Sequence, residues 1–259
     1  MRIPIYQVDA FAAVPFTGNP AAVCPLEEWL PDSVMQQIAA ENNLAETAFF
    51  VPQGAGYGLK WFTPVVEIDL CGHATLASAF VLWEKLGYAG ERISFETRSG
   101  TLTVSRQGEL LALDFPTRAP EACEVHPALL VALGGSPREV LASRDYLVVY
   151  DTEEQVRALA PNMNAVAKLD RFAVIATAPG KQHDFVSRFF APAQGIPEDP
   201  VTGSAHCTLT PYWSAKLGKK TLRAKQISPR GGELLCEDRG ERVSIAGQAV
   251  LYLEGSIFV

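Results

Sequence analysis

The sequence predicts an α+β protein made of two pseudo-symmetric halves, and three observations predict it. Strand-like alternation and helix-like periodicity interleave along the whole chain. The segment FTPVVEIDLCGHATLASAFVLWEKLG at 62–87 has a counterpart, FAPAQGIPEDPVTGSAHCTLTPYWSAKLG, at 190–218; each opens Phe-x-Pro and closes Lys-Leu-Gly. Gly72 lies 15 positions before Gly87, Gly203 lies 15 before Gly218, and Gly72 and Gly203 are 131 apart. Finally, RSGTL…QGELLAL at 98–113 is echoed by RGGEL…RGERVSI at 230–245, at an offset of 132. Equal spacing at two separate places marks a duplicated architecture.

The elements follow in order. IYQVDAF alternates as a strand, FTGNP is turn chemistry, and AAVC resumes the strand. PDSVMQQIAAENN places Val34, Ile38 and Ala39 at helical spacing, with Asp32 or Ser33 as the expected cap. ETAFFVP and LKWFTP read as strands, and ISFETRSGTLTVSRQGELLALDF as two strands or a longer ladder broken at Ser99-Gly100 and Gln107-Gly108. In each repeated segment a strand meets a small-residue turn and then a helix, whose apolar positions (Leu76, Phe80, Trp83; Leu209, Tyr212, Trp213, Leu217) are expected to face a core. Pro211 falls where the first copy has Phe80, and an interior helix proline costs about 3 kcal/mol unless the helix kinks. The closing GQAVLYLEGSIFV is β-rich.

Composition narrows the function classes. The 259 residues are 48% hydrophobic and 20% charged, with mean hydropathy near zero and no apolar run of the roughly 18 residues that span a bilayer. The opening stretch lacks the basic and long apolar regions of a secretory signal, so a cytoplasmic protein is expected. Five scattered cysteines (Cys24, Cys71, Cys123, Cys207, Cys236) without a CxxC suggest reduced thiols, not a disulfide framework or zinc knuckle. A formal charge of -7 without a basic stripe argues against a nucleic-acid partner and for small molecules.

Two turns and two carboxylates carry the chemistry. A helix entered through Gly72-His73-Ala74 or Gly203-Ser204-Ala205 offers unpaired N–H groups and a positive dipole end to an anion, unobstructed by bulky side chains. Either glycine could equally serve only a tight strand-to-helix turn. Glu46 stands past a helix and before an apolar strand, where partial burial would make it an effective proton shuttle, although a solvated surface glutamate is the commoner case. Asp199, in PEDPVTGS, either caps the following turn or orients a polar substrate group. His73 and His206 are each open to a purely structural reading.

Taken together, QVDAF with FTGNPAAV, NLAETAFF, FTPVVEIDLCGHATLA and DPVTGSAH resemble the phenazine-biosynthesis (PhzF-like) isomerase family, whose members share the diaminopimelate epimerase fold. The resemblance covers nearly the whole chain. It implies two α/β domains, each a mixed β-sheet wrapped around a central α-helix, with the active site in the cleft between them: residues 1–115, joined by a returning strand at 248–259, and residues 116–247. It implies no metal and no organic cofactor. By that resemblance Glu46 is the proton-shuttling glutamate, His73 the cleft histidine, and Asp199 and Ser204 further catalytic groups. Asn19, Cys71, Gly72, Ala74, Gly203 and Ala205 would line the substrate, and a homodimer would suit the family.

The epimerase relatives carry a cysteine before the glycine in both halves, whereas this chain has Cys71 and Thr202. Two-thiol stereoinversion is therefore not expected, and Cys71 reads as a packing or cleft-wall residue. The expected activity is cofactor-independent proton transfer between carbons of a small unsaturated amino or hydroxy acid by Glu46 alone. Two alternatives stay open: a Cys71-dependent thiol hydrolase or transferase using a histidine base, and a noncatalytic small-anion binder on the same fold.

Overall fold

The structure, a computed structural model, describes residues Met1–Val259. The chain forms two units, Met1–Asp114 with Ala246–Val259, and Phe115–Ile245. The first contains β1 (Arg2–Ala10), β2 (Asn19–Pro25), α1 (Asp32–Asn42), β3 (Glu46–Gln53), β4 (Gly56–Phe62), β5 (Glu67–Ile68), α2 (Gly72–Glu84), β6 (Arg92–Thr97), β7 (Gly100–Gln107) and β8 (Leu110–Pro116). The second contains β9 (Glu121–Ala122), α3 (Leu129–Leu133), β10 (Glu139–Ala142), β11 (Tyr146–Val149), α4 (Glu153–Arg157), α5 (Met163–Val166), β12 (Val174–Pro179), β13 (Phe185–Ala191), β14 (Ile196–Asp199), α6 (Gly203–Leu217), β15 (Thr221–Gln226), β16 (Gly232–Asp238) and β17 (Arg242–Gly247). The closing β18 (Ala249–Phe258) pairs antiparallel with β1 of the first unit.

Both units follow one pairing scheme. In the first, β1 and β2 are antiparallel, β2 and β3 parallel, β3 and β4 antiparallel, and β4 and β6 parallel, with the short β5 folded back on β4. The second repeats this as β10, β11, β12, β13 and β15, with β14 folded back on β13. In each unit the helix after the short strand is the crossover that a parallel pair requires, α2 between β4 and β6, α6 between β13 and β15. The ISFET…LALDF stretch resolves into three strands, β6, β7 and β8, separated at the Ser99-Gly100 and Gln107-Gly108 turns.

These two helices are central because their sequences are apolar or small on every side. Ten of the 13 residues of α2 are buried, against β1, β2, β3, β7 and β18. Its buried hydroxyls are satisfied within the helix: Thr75 donates to Cys71 O at 2.5 Å and Ser78 to Ala74 O at 2.8 Å. Phe80 is half-buried and Leu217, the last residue of α6, is 44% exposed, so neither is the core position its spacing suggested. Pro211 sits inside an unbroken α6. Proline cannot donate to Cys207 O four residues back, and the main-chain N–H of Arg118 does so instead, at 3.0 Å.

Helix α1 covers the opposite side of the first sheet, where Met35, Ile38 and Ala39 meet Ile3, Cys24, Phe49 and Phe62. Its cap is Pro31, in an extended conformation, and not Asp32 or Ser33. Asp32 is already in the first turn, where its charge suits the dipole and its Oδ1 accepts from Lys60 Nζ at 2.7 Å. Strand alternation then places Glu46, Ala48 and Phe50 of β3 on the face away from Phe49, towards α2.

Candidate active site

In the first unit three element starts meet. Asn19 opens β2, Glu46 opens β3, and Gly72-His73-Ala74 opens α2 after the extended Cys71. His73 Nε2 lies 3.0 Å from Glu46 Oε2, Asn19 Nδ2 lies 3.2 Å from His73 Nδ1, and Cys71 Sγ lies 3.5 Å from Nδ1 and 3.9 Å from Nε2. All four side chains are buried, Glu46 with 5% of its surface exposed. The surface-glutamate reading of Glu46 is thereby removed.

Electrostatics follow from this packing. Burial opposes charge on the imidazole, but Cys71 and Glu46 together hold His73 well above its ordinary value. Burial, and then the Glu46 carboxylate, push the Cys71 thiol up, against a weaker pull from His73. In the neutral imidazole Nδ1 accepts from the Asn19 amide, while Nε2 faces the Glu46 carboxylate; protonating Nδ1 calls for the amide oxygen of Asn19 there instead.

The second unit builds its counterpart at the start of α6. Asp199, buried at the end of β14, accepts the Thr202 hydroxyl proton, so the residue matching Cys71 is tied into the turn. Gln226 of β15 braces the same turn, its Oε1 accepting from Thr202 N at 2.8 Å and its Nε2 donating to Asp199 O at 2.7 Å. Nothing in the sequence near these residues pointed to Gln226, which is fully buried and 24 positions from Thr202. Gly203 and Ala205 are buried and Ser204 is half-buried, where its hydroxyl accepts from Arg144 Nη2 at 3.4 Å. Neither α2 nor α6 has a side-chain cap at its start, so the first-turn N–H groups of both keep their affinity for an anion.

A family model described as phenazine biosynthesis-like protein matches residues 8–255. The chain belongs to the phenazine biosynthesis-like family. It is 54% identical over 257 residues to an uncharacterized isomerase of Pseudomonas aeruginosa, with 99% of both chains covered. The crystal structure of a PhzF family protein from Enterococcus faecalis matches it at TM-score 0.98 and 50% identity over 100% of both chains. A hydroxyproline epimerase of Agrobacterium vitis matches at TM-score 0.61 and 11% identity over 99% of this chain and 92% of that one, a likeness of fold that carries the diaminopimelate epimerase-like class. The enzyme class shared with the curated relatives is isomerase.

Among the side chains of this family member, Glu46, Cys71 and His73 could also hold a metal, since one donor atom of each lies within 4.8 Å of the others. His206 has a different character. Its Nδ1 lies 2.8 Å from Thr202 O, one turn back in α6, and burial lowers its pKa to about 4. A histidine depressed in the folded state takes up protons preferentially when unfolded, so its contribution is complete above the unfolded value of 6.5 and is lost as pH falls towards 4. At about 1.4 kcal/mol per unit, that amounts to roughly 3 kcal/mol. His206→Gln is expected to flatten urea-derived stability between those pH values relative to the unmodified protein.

Proposed function

We propose that this isomerase moves a proton between two carbons of a small unsaturated amino or hydroxy acid, with Glu46 acting first as base and then as acid. The observation that carries the reading is the burial of Glu46 against His73 at 3.0 Å, at the start of an uncapped helix. A carboxylate shielded from bulk water and oriented by an imidazole can take a proton from carbon and hold it for return. Negative charge developing on the substrate is stabilised by main-chain N–H groups such as those of Gly72 and Ala74. Asn19 sets the imidazole, and Asp199, Gly203, Ser204 and Ala205 are assigned to holding the substrate's polar groups.

The test is a screen of small unsaturated amino and hydroxy acids in heavy water, read by proton NMR. Carbon-bound deuterium is expected with the unmodified protein and not with Glu46→Gln; an acid that binds without exchange supports the noncatalytic binder. The thiol reading is disfavoured because burial, and then the Glu46 carboxylate, push the Cys71 thiol up, whereas a nucleophile must be ionised. Cys71→Ala is accordingly expected to keep turnover within about tenfold, a loss of no more than about 1.4 kcal/mol in the barrier.

The metal-ligand geometry favours a second reading, in which a divalent ion on Glu46, Cys71 and His73 acts as Lewis acid. Dialysis against a chelator separates the two. Proton shuttling by Glu46 retains full activity after dialysis, whereas the metal reading loses activity that added zinc restores.

A further inference from the structure

The start of α6 has a charged neighbour that neither the repeat nor the family motifs point to. Ser143, Arg144 and Asp145 form the connection between β10 and β11, and two of them are tied to successive turns of α6: Ser143 Oγ to Thr208 Oγ1 at 3.1 Å, and Arg144 Nη2 to Ser204 Oγ at 3.4 Å. Asp145, only 1% exposed, accepts from Arg144 Nε at 3.0 Å and from Nη2 at 2.9 Å. The guanidinium also lies 4.3 Å from the centre of the Phe172 ring. A buried carboxylate, an aromatic face and a serine thus hold a side chain that ordinarily samples many rotamers, while 31% of it stays exposed.

What this leaves over is specific. None of these bonds uses Nη1, and because Ser204 accepts from Arg144, its own hydroxyl hydrogen is available to donate. Asp145 cancels much of the arginine's charge at a distance, so local attraction for an anion needs other sources. The uncapped start of the 15-residue α6 is one. A second is Arg118, whose main-chain N–H donates to Cys207 O of α6 and whose side-chain Nη1 is buried without a hydrogen-bond partner. The charges of both arginines reach Cys207, where they oppose the effect of burial on the thiol.

We propose that Arg144 is the carboxylate anchor of the substrate, one carboxylate oxygen accepting from its Nη1 and the other from the Ser204 hydroxyl. This rests on the isomerase reading in that Ser204 is assigned to the substrate. It makes the substrate a carboxylic acid, with Asp145 and Phe172 as positioning residues for the anchor.

Acetate is the smallest probe of the anchor and needs no knowledge of the substrate. In protein labelled with 15N-arginine, acetate is expected to shift the Arg144 side-chain resonance saturably, while acetamide and sodium chloride at equal concentration do not. Arg144→Lys is expected to weaken the acetate response, followed at the α6 amides, at least about tenfold. Because that change strips Asp145 of its bidentate partner, Arg144→Met/Asp145→Asn, checked for folding by circular dichroism, is the companion variant and is expected to lose the response. Glu46→Gln is expected to retain it while losing isotope exchange, so failure of the anchor and failure of the proton shuttle are separable. Equal responses to acetate and acetamide, tighter binding of inorganic phosphate than of acetate, or an unchanged acetate response in the folded double variant would each overturn the proposal.

Discussion

Glu46→Gln is expected to lower solvent deuterium incorporation into the substrate by at least about a hundredfold, the contribution typical of a positioned acid–base group. The amide is nearly isosteric and can still face His73 Nε2, so the fold and the 3.0 Å contact need not be lost. What it cannot do is accept a proton from carbon. Substrate affinity should change far less than turnover, because the interaction removed is made in the transition state. Glu46→Asp separates chemistry from position: the base is kept, one methylene shorter, and a partial loss is expected where glutamine gives a nearly complete one.

His73→Leu is expected to be the most destabilising change at this site. Both partners of the Glu46–His73 pair are more than nine-tenths buried, and removing one leaves a carboxylate without its partner in a poorly solvated place. Breaking a buried pair in this way costs about 3–5 kcal/mol. The double variant Glu46→Leu/His73→Leu should recover much of that loss, because it removes the stranded charge as well, and a double-mutant cycle by urea unfolding measures the coupling. The pH dependence has a definite sign. A histidine raised in the folded state contributes fully below its unfolded value and loses the contribution as pH rises through the higher folded value. The penalty of His73→Leu should therefore shrink on the alkaline side.

Much of this was legible in the sequence, for identifiable reasons. The duplication could be read because two strand–turn–helix units with a shared crossover need the same small residues at the same spacing, as at Gly72 and Gly203. Glu46 could be located on β3 from its place at the head of ETAFF, but its burial could not, because that depends on α2 lying across the strand's start. The cap of α1 was misassigned since Asp32 suits the first turn as well as the cap, and the Lys60 contact that engages it comes from 28 residues away. Pro211 looked like a conflict with a continuous helix, and the resolution, the Arg118 N–H, belongs to a distant loop. Gln226 and Arg144 left no local trace because their partners, Thr202 and Ser204, are respectively 24 and 60 residues distant in the chain. Long-range hydrogen bonds to buried turns have no periodicity to betray them.

The most direct measurement of the single-carboxylate claim is the stereochemistry of proton delivery. With an acid identified in the heavy-water screen, deuterated at the carbon that loses its proton and turned over in ordinary water, the new hydrogen should arrive on the same face of the substrate from which the old one left, with part of the label carried across. Delivery to the opposite face would require a second acid on the far side and would contradict a mechanism run by Glu46 alone.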